Sequence, residues 1–143
     1  MIGIIFSILA GVAMSIQGVF NSRLSDKIGI WETNAIVQGS AFVLTLIIMF
    51  FFGNGTFKEL RTVNKLYLLG GVLGVIIIFT VITGITSLGA TYSIAIILVA
   101  QLTAAAIIDA FGLFDSKKLT FGMNEIIGVI IMIVGIIVFK WKH

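Results

Sequence analysis

Apolar residues come in five long runs separated by short polar stretches, covering about 2–20, 34–52, 66–87, 93–113 and 123–139. Each run is close to the roughly 20 residues an α-helix needs to cross the hydrocarbon of a bilayer, with about 17–25 tolerated. The polar stretch 21–32 follows the first run, a basic loop with Lys58, Arg61 and Lys65 follows the second, and Asp115, Lys117 and Lys118 follow the fourth. Between the third and fourth runs, Gly89 and the cluster Thr91-Tyr92-Ser93 mark a tight turn without a charge. The two runs together are far too long for one crossing, so they count as two. The last run ends in Lys140-Trp141-Lys142, an interfacial aromatic flanked by lysines that snorkel. The pattern predicts an all-α integral membrane protein, one transmembrane domain over 1–143 with about five spanning helices.

Composition agrees and narrows the chemistry. Apolar residues make up 59% of the chain and charged residues 10%, whereas a soluble domain carries about a quarter charged residues. Polar surface is too scarce to cover a globule in water, so membrane lipid is the expected solvent. There is no cysteine and a single histidine, His143, which leaves no disulfide, no thiolate site and no histidine-based metal centre. No nucleophile–base–acid set occurs either, so neither an enzyme nor a metal or cofactor is expected. The net charge of +3 is dispersed in the segments between apolar runs, which reads as membrane orientation and not as a nucleic-acid surface. The first run lacks a basic leader and a small-residue cleavage site, and is expected to be a retained helix.

The distribution of that charge is nearly even. With five spans, the N-terminus and the second and fourth loops share one side, holding Lys58, Arg61, Lys65, Lys117 and Lys118. The other side holds Arg23, Lys27, Lys140 and Lys142, and five plus four accounts for all nine basic residues. Orientation follows the Lys/Arg bias, and a difference of one supplies almost none. Either the chain inserts both ways and pairs antiparallel with itself, or weak cues or a partner fix its topology.

Sixteen glycines and no proline favour close helix packing over kinks. Gly70/Gly74, Ala100/Ala104 and Gly128/Gly135 are spaced for small-residue faces on which helix backbones approach closely in lipid. Most such faces serve packing within one subunit; Gly128 and Gly135 on the last helix are the candidates for contact between subunits.

Polar groups inside apolar runs are costly and are read as functional candidates. Gln17 and Asn21 share a face near the end of the first helix, beside a slim face of Gly11, Ser15, Gly18 and Ser22. Gln38 lies about one turn into the second helix, Tyr92 and Ser93 open the fourth, and Gln101 sits near its middle. Gln17, Asn21, Gln38, Tyr92 and Gln101 are the candidate substrate-binding groups; alternatively each joins helices through a hydrogen bond. Asp109 is the one acidic residue well inside an apolar run, on the face of Gln101 and Ala105. It is the proton-coupling candidate if its surroundings are dry, or else an interfacial carboxylate paired with Lys117 or Lys118.

The run LGATYSIAIILVAQLTAAAIIDAFGLF over 88–114 resembles the YdcZ-like family of inner-membrane exporters. So do the first helix, through Gly11, Gln17, Asn21 and Arg23-Leu24, and the end IIGVIIMIVGIIVFKWK. The resemblance covers nearly the whole chain. It implies the drug/metabolite transporter superfamily, a bacterial cytoplasmic (inner) membrane location, a small-molecule substrate, and Gln17, Gln101 and Asp109 as family positions. It also implies half of a ten-helix inverted-repeat transporter, completed by an antiparallel homodimer or by a paralogous half-transporter. The distantly related small multidrug resistance proteins use a central glutamate in their first helix; here that span has no acid, Gln17 being nearest to it. The expectation is a small secondary transporter, an exporter of a metabolite or other organic solute, working by alternating access and open to proton coupling. The alternatives are a dual-topology ion channel, although the pore signature of Fluc-type fluoride channels is missing, and an assembly subunit active only with a paralogous partner.

Overall fold

The computed structural model describes residues 1–119 and 122–141; Lys142 and His143, used in the charge count and the histidine argument above, lie outside the described residues. Five long helices appear: α1 (Ile2–Ile28), α2 (Ile30–Phe52), α3 (Gly70–Leu88), α4 (Ala90–Phe111) and α5 (Met123–Lys140), with no strand among the described residues. All five are long and apolar enough to cross a membrane, the third counted with the 3₁₀ turn before it, as Lys65–Leu88. Helices are the form expected where lipid offers no hydrogen bonds, because each helix satisfies its own backbone.

Helix ends do not follow the apolar runs. α1 continues through the polar residues Asn21 to Lys27 and stops only at Gly29, after which α2 begins at once. The expected polar connection over 21–32 is therefore helical on both sides of a one-residue turn. Hydropathy marks where lipid ends, but the backbone stays helical in water as long as its residues allow. Gly29, at φ 97° and ψ 159°, lies in a region that is essentially glycine-only. Gly89, between α3 and α4, repeats this conformation at φ 81° and ψ 157°. In both turns the glycine carbonyl accepts the first bond of the next helix, from Thr33 N and Ser93 N respectively, each at 3.1 Å. The turn at 89–93 is thus Gly89 alone, with Thr91 to Ser93 inside the first turn of α4.

The loop between α2 and α3 forms two short 3₁₀ turns, each opened by a side-chain cap. Thr56 Oγ1 accepts from Lys58 N at 3.3 Å, and Asn64 Oδ1 accepts from Leu66 N at 3.1 Å. At the end of α4, Gly112 turns left-handed (φ 63°). There Leu119 N donates to Asp109 O at 2.9 Å, and Ser116 Oγ donates to Ile108 O at 3.3 Å. These bonds satisfy carbonyls that a helix end otherwise leaves free. α5 opens with Gly122 N donating to Glu125 Oε2 at 2.8 Å.

The chain divides into two compact units, one of Met1–Ser87 and one from Leu88 on. In the first, α1 packs on α2, α3 meets both, at Gly18 of α1 and at Trp31 and Asn34 of α2, and Ile82 and Ile85 of α3 are buried. In the second, α4 packs on α5. The outer faces carry Phe, Ile, Leu and Val side chains more than half exposed, such as Phe6, Phe42, Phe50, Ile77 and Ile131. Those surfaces are suited to lipid or to another apolar helix, not to water.

Candidate functional site

Polar burial in the first unit concentrates around the Gly29 turn. Asn21 and Ser22 on α1, and Thr33 and Asn34 on α2, are all buried, with Thr33 at 0% and Asn34 at 3% exposure. Three side chains of α2 at helical spacing, Trp31, Asn34 and Gln38, reach α3. The Trp31 ring stacks on Phe79, centroids 5.0 Å apart and planes 14° from parallel. One turn further, Asn34 Nδ2 donates to Val75 O at 2.8 Å. Beyond it the Gln38 Nε2 lies 2.6 Å from where a Cβ on Gly74 would stand. Gly74 therefore makes room for a side chain of α2, and the Gly70/Gly74 pair works at only one of its positions: a Cβ on Gly70 would meet nothing within 4 Å. The slim face of α1 divides the same way. Gly18 lies against Val81 and Ile85 of α3, whose side chains would stand 3.3 and 2.9 Å from its Cβ, while Gly11 faces open space.

Two atoms in this group lack partners. Thr33 Oγ1 and Asn34 Oδ1 are sealed from solvent and make no hydrogen bond among the described residues. For Asn34 the orientation is forced. Only the amide NH₂ can donate to the Val75 carbonyl, so Oδ1 must face the other way. For Thr33 the contrast is with six other helical hydroxyls. Ser7, Ser15, Thr45, Thr80, Thr83 and Thr103 all return their proton to a carbonyl of the preceding turn at 2.7–3.0 Å. Thr33 does not.

In the second unit, Lys140 Nζ stands 4.3 Å above the centroid of the Tyr92 ring, a cation–π contact between the start of α4 and the end of α5. A cleft of about 360 Å³ opens beside it, lined by Leu88, Gly89, Thr91, Phe139 and both contact residues. Further along, α4 and α5 enclose an apolar groove of about 290 Å³ through Ala106, Ile107, Phe111, Ile126 and Val129. Asp109 is half-buried on the last turn of α4. Among the described residues its carboxylate pairs with neither Lys117 nor Lys118, and its connection to that loop runs through its backbone carbonyl.

The predicted site residues are therefore in unequal settings. Asn21 is buried on α1, Gln38 is half-buried against α3, and Tyr92 is half-buried under a lysine, whereas Gln17 and Gln101 are exposed. No hydrogen bond joins any two of these five among the described residues. Cβ atoms built on Gly128 and Gly135 would meet nothing within 4 Å. Sequence reasoning missed Thr33 and Asn34. Both sit at the edge of the second apolar run, where polar residues are cheap, and the only available signal was their place four and five residues after Gly29. Among the described residues no group of carboxylates, histidines or cysteines could hold a metal ion.

Five long apolar helices, lipid-suited outer faces and polar side chains turned onto neighbouring helices define a polytopic integral membrane protein. Over residues 2–138 the chain matches the family described as "Putative inner membrane exporter, YdcZ", and it belongs to that family. It is a multi-pass inner-membrane protein of a transporter family, not of an enzyme family. No curated protein and no solved structure matches the chain.

Proposed function

We propose that the protein is a secondary transporter that exports a small organic solute by alternating access, as an antiparallel dimer of two oppositely inserted copies. The observation that carries this reading is membership of the exporter family over nearly the whole chain. Two further features support the assembly. Five helices long and apolar enough to cross the membrane is an odd number, which would put the two ends of one copy on opposite sides. The basic residues, five against four, give neither orientation an advantage. Two opposed copies would make the ten-helix inverted repeat typical of transporters whose sites lie near the bilayer midplane. Asn21 and Gln38, and with them Gln17, Tyr92 and Gln101, are the proposed substrate-contacting groups. Asp109 is the proposed proton carrier, and Gly128 and Gly135 the proposed packing face between copies. A paralogous half-transporter in place of the second copy would use the same groups.

The cysteine-free chain allows a direct test. Val63→Cys, in the loop between α2 and α3, should react with a membrane-impermeant maleimide from both faces of the membrane, each face labelling about half of the protein. Labelling confined to one face overturns the antiparallel homodimer. In proteoliposomes carrying the purified protein, saturable solute flux with counterflow is expected. Flux at channel rates through single dimers would replace the transporter by a pore.

A further inference from the structure

We infer that Thr33 and Asn34 form a binding position for an uncharged organic solute that presents N–H or O–H donors, an inference that rests on the transporter reading and names its substrate class. The two side chains are buried at 0% and 3% exposure, yet Thr33 Oγ1 and Asn34 Oδ1 have no donor among the described residues. A buried acceptor without a donor is normally eliminated, because it forfeits its hydrogen bonds to water and gains nothing in return. Thr33 has a ready remedy in a bond to the Gly29 carbonyl four residues back, the remedy that Ser7, Ser15 and Thr45 take. It is left unused. Asn34 is pinned by its bond to Val75 O, which fixes its free oxygen as an acceptor pointing away from α3. The position is thus preorganised to receive hydrogen-bond donors and holds none from the described residues.

Charge decides the class of donor. No charged side chain is buried among the described residues; Glu32, the nearest in sequence, is exposed and folds over Gly29. An ammonium brought to Thr33 and Asn34 would lose its hydration with no counter-ion to replace it, which costs several kcal/mol. A neutral amide, urea-like or hydroxyl group loses far less and gains two acceptors. One helical turn away, Trp31 and Phe79 present a stacked aromatic pair, so the body of the solute can be flat and apolar. Because the oxygens are sealed in this structure, the solute reaches them only when α1 and α2 shift, as alternating access requires.

The test uses the full-length protein with Trp141→Phe, so that Trp31 is the only tryptophan reporter, in nanodiscs. The probes are benzamide, which has N–H donors, and N,N-dimethylbenzamide and benzyltrimethylammonium, which have none. Benzamide should change Trp31 fluorescence saturably. The dimethyl amide should bind about tenfold more weakly or not at all, the factor expected for one buried hydrogen bond. Thr33→Val should weaken benzamide by a similar factor while raising the Tm, because it removes an unpartnered hydroxyl at constant shape; Thr33→Ser should restore binding. A Thr33→Val protein that loses stability but binds benzamide normally shows a structural hydroxyl or one satisfied by bound water, and overturns the assignment. So does the absence of saturable benzamide binding, equal binding of the two amides, or tighter binding of the quaternary ammonium. Proteoliposomes that bind benzamide donor-dependently without moving solute would leave the site standing and overturn only the transporter reading.

Discussion

Gly29 and Gly89 each join two helices through a single non-helical residue. Their φ values of 97° and 81°, with ψ near 160°, are open to glycine and strained for any residue with a Cβ, by about 1–3 kcal/mol. Gly29→Ala and Gly89→Ala should therefore each lower the stability of the purified protein by about that amount, read as unfolding in detergent. Gly39→Ala, inside α2 with nothing within 4 Å of the added Cβ, is the control and should be neutral or stabilising by up to about 1 kcal/mol. Asp109 is a residue-scale question of a different kind. Half-buried, it makes no side-chain hydrogen bond or ion pair among the described residues, so replacing it by Asn removes the carboxyl group without breaking such a bond. Asp109→Asn should fold normally and abolish the acceleration of solute flux by a pH gradient. Full retention of that acceleration would remove Asp109 from the proton pathway.

At the scale of elements, helices meet where a small residue faces a larger one. Gly18 of α1 against Val81 and Ile85 of α3, and Gly74 of α3 against Gln38 of α2, are the two such meetings in the first unit. In lipid, close packing and interhelical hydrogen bonds replace the hydrophobic drive that joins helices in water, so filling these gaps should separate elements. Gly18→Leu should cost about 1–3 kcal/mol, as overpacking does, while Gly11→Leu, two turns earlier on the same helix in open space, should have little effect on the Tm. The spacing of Gly11, Ser15, Gly18 and Ser22 was legible in the sequence as a slim face. Which of its positions touches a neighbour was not, because spacing fixes a direction around the helix but not how far along it the neighbour lies. The same limit applies to Gln17 and Asn21, one turn apart on one face, of which only Asn21 is buried.

For the whole molecule, the proposal depends on copies of both orientations. The basic residues can be redistributed to test it. Thr62→Lys with Lys27→Gln changes five against four into six against three, and Lys58→Gln, Arg61→Gln and Lys65→Gln together give two against four. Each variant expressed alone should adopt a single orientation and lose flux; the two expressed together should recover it. Flux from either variant alone would show that a single orientation suffices. Opposed pairing would also give Gly128 and Gly135, where a Cβ would meet nothing within 4 Å, their proposed role as a packing face.

The sequence by itself determined five helices, the membrane as solvent and the family, because each follows from quantities summed along the chain: run length, total polarity and matches spread over residues 2–138. The turn at Gly89 was readable for a local reason, a glycine between two apolar runs with no charge near it. Gly29 was hidden within a polar stretch that hydropathy reads as loop and the backbone keeps as helix. Only the tertiary structure decided that Thr33 and Asn34 are buried with their oxygens unpartnered. Burial and hydrogen bonding depend on what α3 brings to α2, on Val75 O and Phe79 some forty residues away, and no local pattern encodes the far partner.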